Sequence, residues 1–221
     1  MRHHRWSVSL WLWGVVSLVV MAGCAGKGET VWLDLQPGLR TDGPAPKDSP
    51  ELVLVEAFED LRPEKGKTGL RTHLWGGVTY FDVPGGVPGA AVARLVGEYL
   101  ARTGRQVTIN VVNQPDRPGT PAATQGSADV TITGQVQELS VHAKSRFGST
   151  EISAKFQVTV LARNKADGST VRRVLEGARS KTVFWFEPED VQALVNAMLT
   201  DSLNRLLDNV YLEGRSWRLK S

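Results

Sequence analysis

Three consecutive segments between residues 129 and 186 alternate apolar and polar side chains, and this pattern constrains the fold more than any other feature. The segments ADVTITGQVQELSVHA and TEISAKFQVTVLAR are joined by the short turn SRFGST. An Asp167-Gly168 turn, typical of a hairpin, then leads into VRRVLEGARSKTVFWF, where the alternation is weaker. Such alternation indicates strands with one buried and one exposed face. The sequence therefore predicts an antiparallel meander of three strands.

Two amphipathic helices flank the meander in the sequence. The first follows Pro88 and ends before Gly104, a typical C-terminal cap. The second begins at Pro188 and runs for about 21 residues with one apolar face. Both are predicted to bury their apolar stripes on one face of the sheet. These stripes are Val92, Leu95, Val96, Tyr99 and Leu100 in the first helix, and Val191, Leu194, Val195, Met198, Leu199, Leu203, Leu206, Leu207 and Val210 in the second.

Shorter apolar runs at 52–58, 70–82 and 106–112 predict further strands. The predicted fold class is α+β: a two-layer sandwich whose mostly antiparallel sheet has about 4–6 strands, with two helices packed on one face. This domain is expected to span 51–212, followed by a loose basic tail at 213–221. Residues 24–50, rich in Pro and Gly, are expected to form a flexible tether. Within it, VWLDLQ alternates and predicts a short edge strand that docks on the domain.

The N-terminal 23 residues have the organisation of a secretory signal peptide. Arg2 and Arg5 precede LWLWGVVSLVVMA, an uncharged run of 13 residues. A helix that crosses a bilayer needs roughly 20 apolar residues, so this run is short for a membrane span. Cleavage is predicted between Gly23 and Cys24, because small residues stand directly before the cysteine. The alternative is an uncleaved N-terminal membrane anchor.

Met21-Ala22-Gly23-Cys24 resembles the bacterial lipobox. The resemblance implies that Cys24 becomes the first residue of the mature protein and carries a thioether-linked diacylglycerol. Ala25, in place of Asp, favours the periplasmic face of the outer membrane over the inner membrane. Cys24 is the single cysteine in the chain. An ordinary free thiol is the weaker alternative, since a lone thiol in an oxidising compartment needs a special use.

Charge and residue types exclude several classes of function. Without the predicted signal peptide, the chain has 24 Lys and Arg against 23 Asp and Glu, so nucleic acid is not an expected partner. His73 and His142 are the only histidines beyond that peptide, and they lack ligand-type spacing. The serine hydrolase motif G-x-S-x-G is absent from the sequence. The sequence thus predicts no metal, no cofactor, no catalytic residues and no enzymatic activity.

Two loops contain candidate sites, one catalytic and one for an anion. Glu56, Glu59, Asp60 and Glu64 lie close together, as in a wall-cleaving glycosidase, but three cations interleave with them. A solvated loop, with a local ion pair between Asp60 and Arg62, is the favoured interpretation. The interleaved cations are Arg62, Lys65 and Lys67.

The second loop contains Gly85, Gly86 and Gly89 before a helix, a position where an anion can bind. A turn is the favoured interpretation of these glycines.

The third strand of the meander carries the candidate contact residues. Trp185 is expected to point opposite to its aromatic neighbours, and Arg173, Arg179 and Lys181 lie on the same strand. Basic and aromatic residues together suit an anionic lipid headgroup or a glycan. The favoured interpretation of the cations is a charged edge that discourages pairing with other strands.

The segments GAAVARLVGEYLARTGRQVTI, ADVTITGQVQEL and VQALVNAMLTDSLNRLLDN resemble the YajG-like bacterial lipoproteins over roughly residues 24–210. The family centre N-x-x-L-T-D corresponds to Asn196, Leu199, Thr200 and Asp201. The resemblance implies a fold and a location rather than a chemistry. The expected function is a non-catalytic binding or assembly module of the cell envelope, with an envelope protein as partner. The alternative is an accessory protein that binds lipopolysaccharide or phospholipid in a groove between helices and sheet.

Overall fold

The computed structural model describes residues 27–36, 38, 51–111 and 128–220. Cys24 and the predicted signal peptide lie outside these residues. Among the described residues, no helix combines the length and the apolarity that crossing a bilayer requires. The strands are β1 (Lys27–Trp32), β2 (Leu52–Glu56), β3 (Glu59–Asp60), β4 (Gly69–Thr72), β5 (Val78–Asp82), β6 (Gln106–Asn110), β7 (Val130–Arg146), β8 (Ser149–Asn164), β9 (Thr170–Val183), β10 (Val210–Glu213) and β11 (Ser216–Leu219), and the helices are α1 (Pro88–Arg102) and α2 (Pro188–Asp208).

The strands β1 to β9 form one nine-stranded mixed sheet around β7. One edge of β7 pairs antiparallel with β8, which in turn pairs antiparallel with β9. The other edge pairs in succession with β2, β3 and β4, all parallel to β7. The meander is confirmed, but the expectation of a smaller, mostly antiparallel sheet is wrong. Alternation of side chains reports which face a residue takes, and it carries no information about the direction of the neighbouring strand.

The hydrophobic core lies between the sheet and the two helices. Paired positions of β7 and β8, such as Leu139 with Phe156 and Val141 with Ala154, are buried and face the helices. Both predicted helices are confirmed, and α2 begins with a capping box between Glu187 and Asp190. At Gly177 of β9, an added Cβ would lie 2.8 Å from Cγ of Met198, so the glycine permits the close approach of α2.

Residues 27–36 are part of the domain, which corrects the predicted flexible tether over that range. A strand that docks on the domain is present, but it is β1 (Lys27–Trp32), which pairs parallel with β5; of the predicted stretch 31–36, only Val31 and Trp32 belong to it. Leu33 and Leu35 are buried in the core. Backbone N–H groups of this segment bond to α2: Asp34 N donates to Gln192 Oε1 at 2.8 Å, and Gly38 N donates to Thr200 Oγ1 at 2.7 Å. The remaining tether positions lie outside the described residues.

The expected loose basic tail is also wrong, because β10 and β11 form an antiparallel hairpin. Trp217 in β11 is only 1% exposed. Its backbone N–H donates to Asn164 Oδ1 at 2.8 Å, and its carbonyl accepts from Asn164 Nδ2 at 2.9 Å. This segment contains the basic residues Arg215, Arg218 and Lys220. Because of this composition, the sequence does not indicate that the segment packs on the domain. The packed domain therefore extends beyond residue 212.

Candidate functional site

A cleft of about 540 Å³ lies between the loop 61–68 and the outer face of the sheet, away from the helices. β3 pairs with Gln135 and Val136, and β4 resumes pairing at Val141. The loop between β3 and β4 leaves the sheet edge over this interval and forms one wall of the cleft. The other wall consists of the outer-facing side chains of β7 and β8, including Ser140, His142 and Gln157.

A β-bulge in β7 shapes the wall of the cleft that β7 and β8 form. The register with β8 shifts between Val136 and Glu138, so Gln137 is the extra residue. Its side chain restores the bonds that the bulge removes: Thr159 N donates to Gln137 Oε1 at 3.0 Å, and Gln137 Nε2 donates to Thr159 Oγ1 at 2.8 Å. These two hydrogen bonds fix the shape of this wall at the bulge.

Two carboxylates hold the loop in place. Arg62, only 5% exposed, donates from Nε to Asp60 Oδ1 at 3.0 Å and from Nη2 to Asp60 Oδ2 at 3.1 Å. Asp82 accepts from Thr68 Oγ1 and from Lys67 Nζ, each at 3.1 Å. Burial raises the pKa of Asp60, but the hydrogen bonds and charge of Arg62 and the charge of Lys65 outweigh it, so the pKa lies below its usual value. The predicted Asp60–Arg62 ion pair is confirmed.

These contacts define what the acid cluster can do chemically. An Asp60 carboxyl with a lowered pKa and a bidentate Arg62 is poorly suited to donate a proton to a leaving group. Glu59 accepts a hydrogen bond from Gln135 Nε2 at 3.2 Å. The cleft instead presents mixed donors and acceptors beside apolar side chains, a lining that suits reversible binding of a polar segment. That lining includes Pro63, Glu64, Lys67, Leu70, Tyr80, Glu138, Leu139, Ser140, His142 and Gln157.

The structure separates the candidate contact residues on and after β9. Trp185 follows the strand and is 79% exposed. Arg173, Arg179 and Lys181 occupy positions paired with the core-facing residues Val160, Ala154 and Ile152, so they lie on the helix side of the sheet. Arg179 forms an ion pair with Asp201 of α2, and Lys181 forms one with Asp190 at 2.8 Å. Arg173 has its Nε buried without a hydrogen-bond partner in the described chain. Arg179 and Lys181 therefore tie β9 to α2, whereas Trp185 is free to contact a partner.

The glycines at and before the start of α1 have two roles: Gly89 permits close packing, and Gly85 and Gly86 form a turn. A Cβ on Gly89 would lie 2.0 Å from the backbone oxygen of Phe58, so the start of the helix touches the chain after β2. Gly85 and Gly86 have φ values of 77° and 63°, which favour glycine. This geometry agrees with the preferred interpretation of a turn rather than an anion site.

His73 and His142 lie in different surroundings. Nε2 of His73 lies 2.8 Å from Thr79 Oγ1. Burial, followed by the nearby charge of Arg71, lowers the pKa of His73. His142 lines the cleft. Within the described ranges, no group of three or more His, Cys, Asp or Glu is placed to hold a metal ion.

Comparison with solved structures finds similar chains at low sequence identity. Protein XCC0632 from Xanthomonas campestris, of family DUF330, is 10% identical, with 80% of this chain and 92% of that chain covered and a TM-score of 0.50. Lipoprotein GNA1162 from Neisseria meningitidis is 10% identical, with 72% and 99% covered and a TM-score of 0.36. The PelC dodecamer from Paraburkholderia phytofirmans is 14% identical, with 72% and 92% covered and a TM-score of 0.37.

No family model matches the sequence, and no curated protein is significantly similar to it. Membership of the YajG-like family therefore stays a hypothesis. The similarity to XCC0632 supports a mixed α+β fold.

Proposed function

We propose that this chain is a lipoprotein of the cell envelope, anchored through acylated Cys24, whose domain is a non-catalytic binding module. The observation that carries the proposal is the position of β1. This strand begins at Lys27, three residues after Cys24, and is paired with β5 in the central sheet. From Lys27 to Trp32 the chain is thus part of the folded sheet.

The anchor then acts on the domain without a long spacer. Three residues span at most about 11 Å between their Cα atoms. Two or three acyl chains hold a protein on a bilayer far more firmly than one. A domain attached in this way stays at the membrane surface. We place it on the periplasmic face of the outer membrane, on the basis of Ala25 after the cysteine.

The cleft under the loop 61–68 is the binding site that we propose for an envelope protein. Its walls are fixed by Asp60, Asp82 and the bulge at Gln137. A preformed polar site loses little conformational entropy on binding. The groove required by the lipid-carrying alternative is filled instead: Leu95, Tyr99 and Leu203 between helices and sheet are each no more than 1% exposed.

The substitution Cys24→Ser tests the anchor. We expect an unprocessed precursor that takes up no labelled fatty acid, because the thioether cannot form. The matched control, Ala25→Ser, leaves the thiol in place and should be labelled and processed like the natural sequence. Density fractionation of the two bacterial membranes tests the outer-membrane assignment. Normal processing and labelling of the Cys24→Ser variant would overturn the proposal.

A photo-crosslinking amino acid at His142 tests the binding site. His142 is exposed and lines the cleft. Ala166, in the exposed turn between β8 and β9, is the control position. In intact envelopes we expect position 142 to capture one discrete partner that position 166 does not capture, with at least a fivefold difference in yield. Equal capture of the same abundant proteins at both positions would contradict the proposed site.

A further inference from the structure

Six strands of the sheet share one row of residues at the end where β1 begins. The register aligns these residues across neighbouring strands. At a spacing of about 4.8 Å per strand, the row is about 24 Å wide. Three segments lie beyond this row and project from the same end of the domain: the turn 73–77, the turn 147–148 and the connection 184–187. The row consists of Lys27, Val78, Thr72, Lys144, Glu151 and Thr182.

The most exposed large hydrophobic side chains of the described chain all lie on these projections. Trp75 is 87% exposed, Phe147 94%, Phe184 69% and Trp185 79%. The next in order, Trp32, is 54% exposed and lies at the opposite end of β1. Single exposed hydrophobics are common on protein surfaces. Four aromatic rings gathered at one end of a domain form a surface that needs a partner. We call these four residues the aromatic end.

The aromatic end rests on ordered backbone. Phe186 is half-buried, with its ring centroid 6.5 Å from that of Phe81, and this contact fixes the connection after β9. The guanidinium of Arg71 lies 3.8 Å from the Phe186 centroid. The rings of Phe184 and Trp185 stack edge to face at 5.3 Å. Because these rings are held in place, their insertion into an apolar partner costs little conformational entropy.

The turns are fixed as well. In the turn 73–77, His73 N donates to Gly77 O at 2.8 Å, and Gly76 N donates to His73 O at 3.1 Å. Gly148 takes a positive φ of 74°, which closes the hairpin beside Phe147. A Cβ built on Gly148 would lie 4.0 Å from the Phe184 ring, so the turn 147–148 and the connection 184–187 lie side by side.

We propose that the aromatic end docks on the lipid bilayer, with its rings in the interfacial layer of the membrane that holds the acyl chains of Cys24. The inference rests on the proposed lipidation. Cys24 precedes Lys27 of the row by three residues, so the acylated cysteine lies within about 11 Å of this end. Trp side chains are enriched at membrane–water interfaces, where the ring meets lipid and its N–H meets water, and Phe rings of interfacial segments bury on the lipid side.

Charge does not account for this surface. The row itself contains Lys27, Lys144 and Glu151. Arg146 next to it forms an ion pair with Glu151 at 3.3 Å, and Glu187 is exposed on the connection after β9. Docking through rings rather than cations should therefore depend little on salt or on anionic lipid. The long strand β8 then extends away from the bilayer, so its far turn at Ala166 lies about 50 Å from the aromatic end.

An environment-sensitive fluorophore tests the orientation in purified, lipidated protein reconstituted into vesicles of phosphatidylethanolamine and phosphatidylglycerol. Acylation blocks Cys24, so a cysteine introduced by Arg146→Cys or Ala166→Cys carries the only label. We expect bromolipid quenching to be at least twofold stronger at position 146 than at 166. Adding Trp75→Ser, Phe147→Ser and Trp185→Ser to Arg146→Cys should remove most of this difference while the protein still floats with the vesicles.

The outcomes separate the two proposals. A chain whose Cys24 reacts with the fluorophore and which does not float with vesicles lacks the lipid anchor, and the proposed function fails with this inference. A lipidated chain that floats but shows equal quenching at 146 and 166 keeps its anchor and overturns the aromatic docking alone. A stronger quenching at 146 that persists in full without the three rings also overturns the aromatic docking, because the rings then do not set the orientation.

Discussion

Replacing Trp217 with alanine is expected to lower the free energy of unfolding by about 3–5 kcal/mol, the range for removing a buried aromatic side chain. The indole is 1% exposed and belongs to the main hydrophobic core. Alanine would leave a cavity between the C-terminal hairpin and β8, because the backbone on both sides is fixed by Asn164. Urea denaturation of the purified protein measures the effect.

The polar contacts around Trp217 increase the effect. Its Nε1 donates to Glu51 Oε1 at 3.4 Å, and the same carboxylate oxygen accepts from Arg105 Nε at 2.7 Å. The Arg105 guanidinium lies 5.7 Å from the Trp217 ring centroid. Loss of the ring exposes this ion pair to a cavity and weakens the connection between the hairpin and the start of β2.

Trp185→Ala is the matched control, since it removes the same side chain from an exposed position. It should change the free energy of unfolding by no more than about 0.5 kcal/mol. Trp217→Phe should fall between the two, because it keeps most of the apolar contact. Equal urea midpoints for Trp217→Ala and Trp185→Ala would show that the hairpin does not pack on the domain.

The sequence predicts elements well where one period extends over many residues. The stripes of α1 and α2 and the alternation of β7 and β8 are long enough to identify both the type of element and its buried face. β3 has two residues, and nothing in Glu59-Asp60 marks it as a strand. Its pairing with β7 depends on the geometry of the neighbouring strands β2 and β4, which is set by tertiary packing.

The candidate site shows the same division between local and long-range information. The Asp60–Arg62 pair follows from local sequence, since its members are two positions apart. The expectation that Trp185 points opposite to Phe184 is wrong, because β9 ends at Val183 and the two exposed rings contact each other. The assembly of Trp75, Phe147 and Trp185 at one end depends on the register of six strands. The ion pairs of Arg179 and Lys181 do not follow from local sequence, because their partners on α2 lie 22 and 9 residues further along the chain. In β9 these cations share the face of Leu175, which is the side of the helix, and the weak alternation of this strand does not predict it.

Gly69 has a demanding position where β4 meets β7. A Cβ built on it would lie 1.9 Å from the backbone oxygen of Val141 and 2.7 Å from the carbonyl carbon. Backbone atoms of a central strand cannot rotate away as a side chain does. Any larger residue therefore separates β4 from β7, and with it the hydrogen bond from Val141 N to Thr68 O at 3.0 Å. The parallel pairing of β4 with residues 141–144 of β7 depends on this contact. The position of Gly69 and Leu70, which line the cleft, depends on it too.

Gly69→Ala is accordingly expected to destabilise the protein by about 2–4 kcal/mol, since overpacking against backbone forces strands apart. Gly66→Ala is the control in the same loop, because an added Cβ there meets no heavy atom within 4 Å. It should change stability by no more than about 0.5 kcal/mol. Hydrogen exchange adds a local test: the Val141 amide should lose protection in Gly69→Ala and keep it in Gly66→Ala. If the two variants unfold at the same urea concentration and exchange alike, β4 does not pack on β7 as closely as this geometry requires.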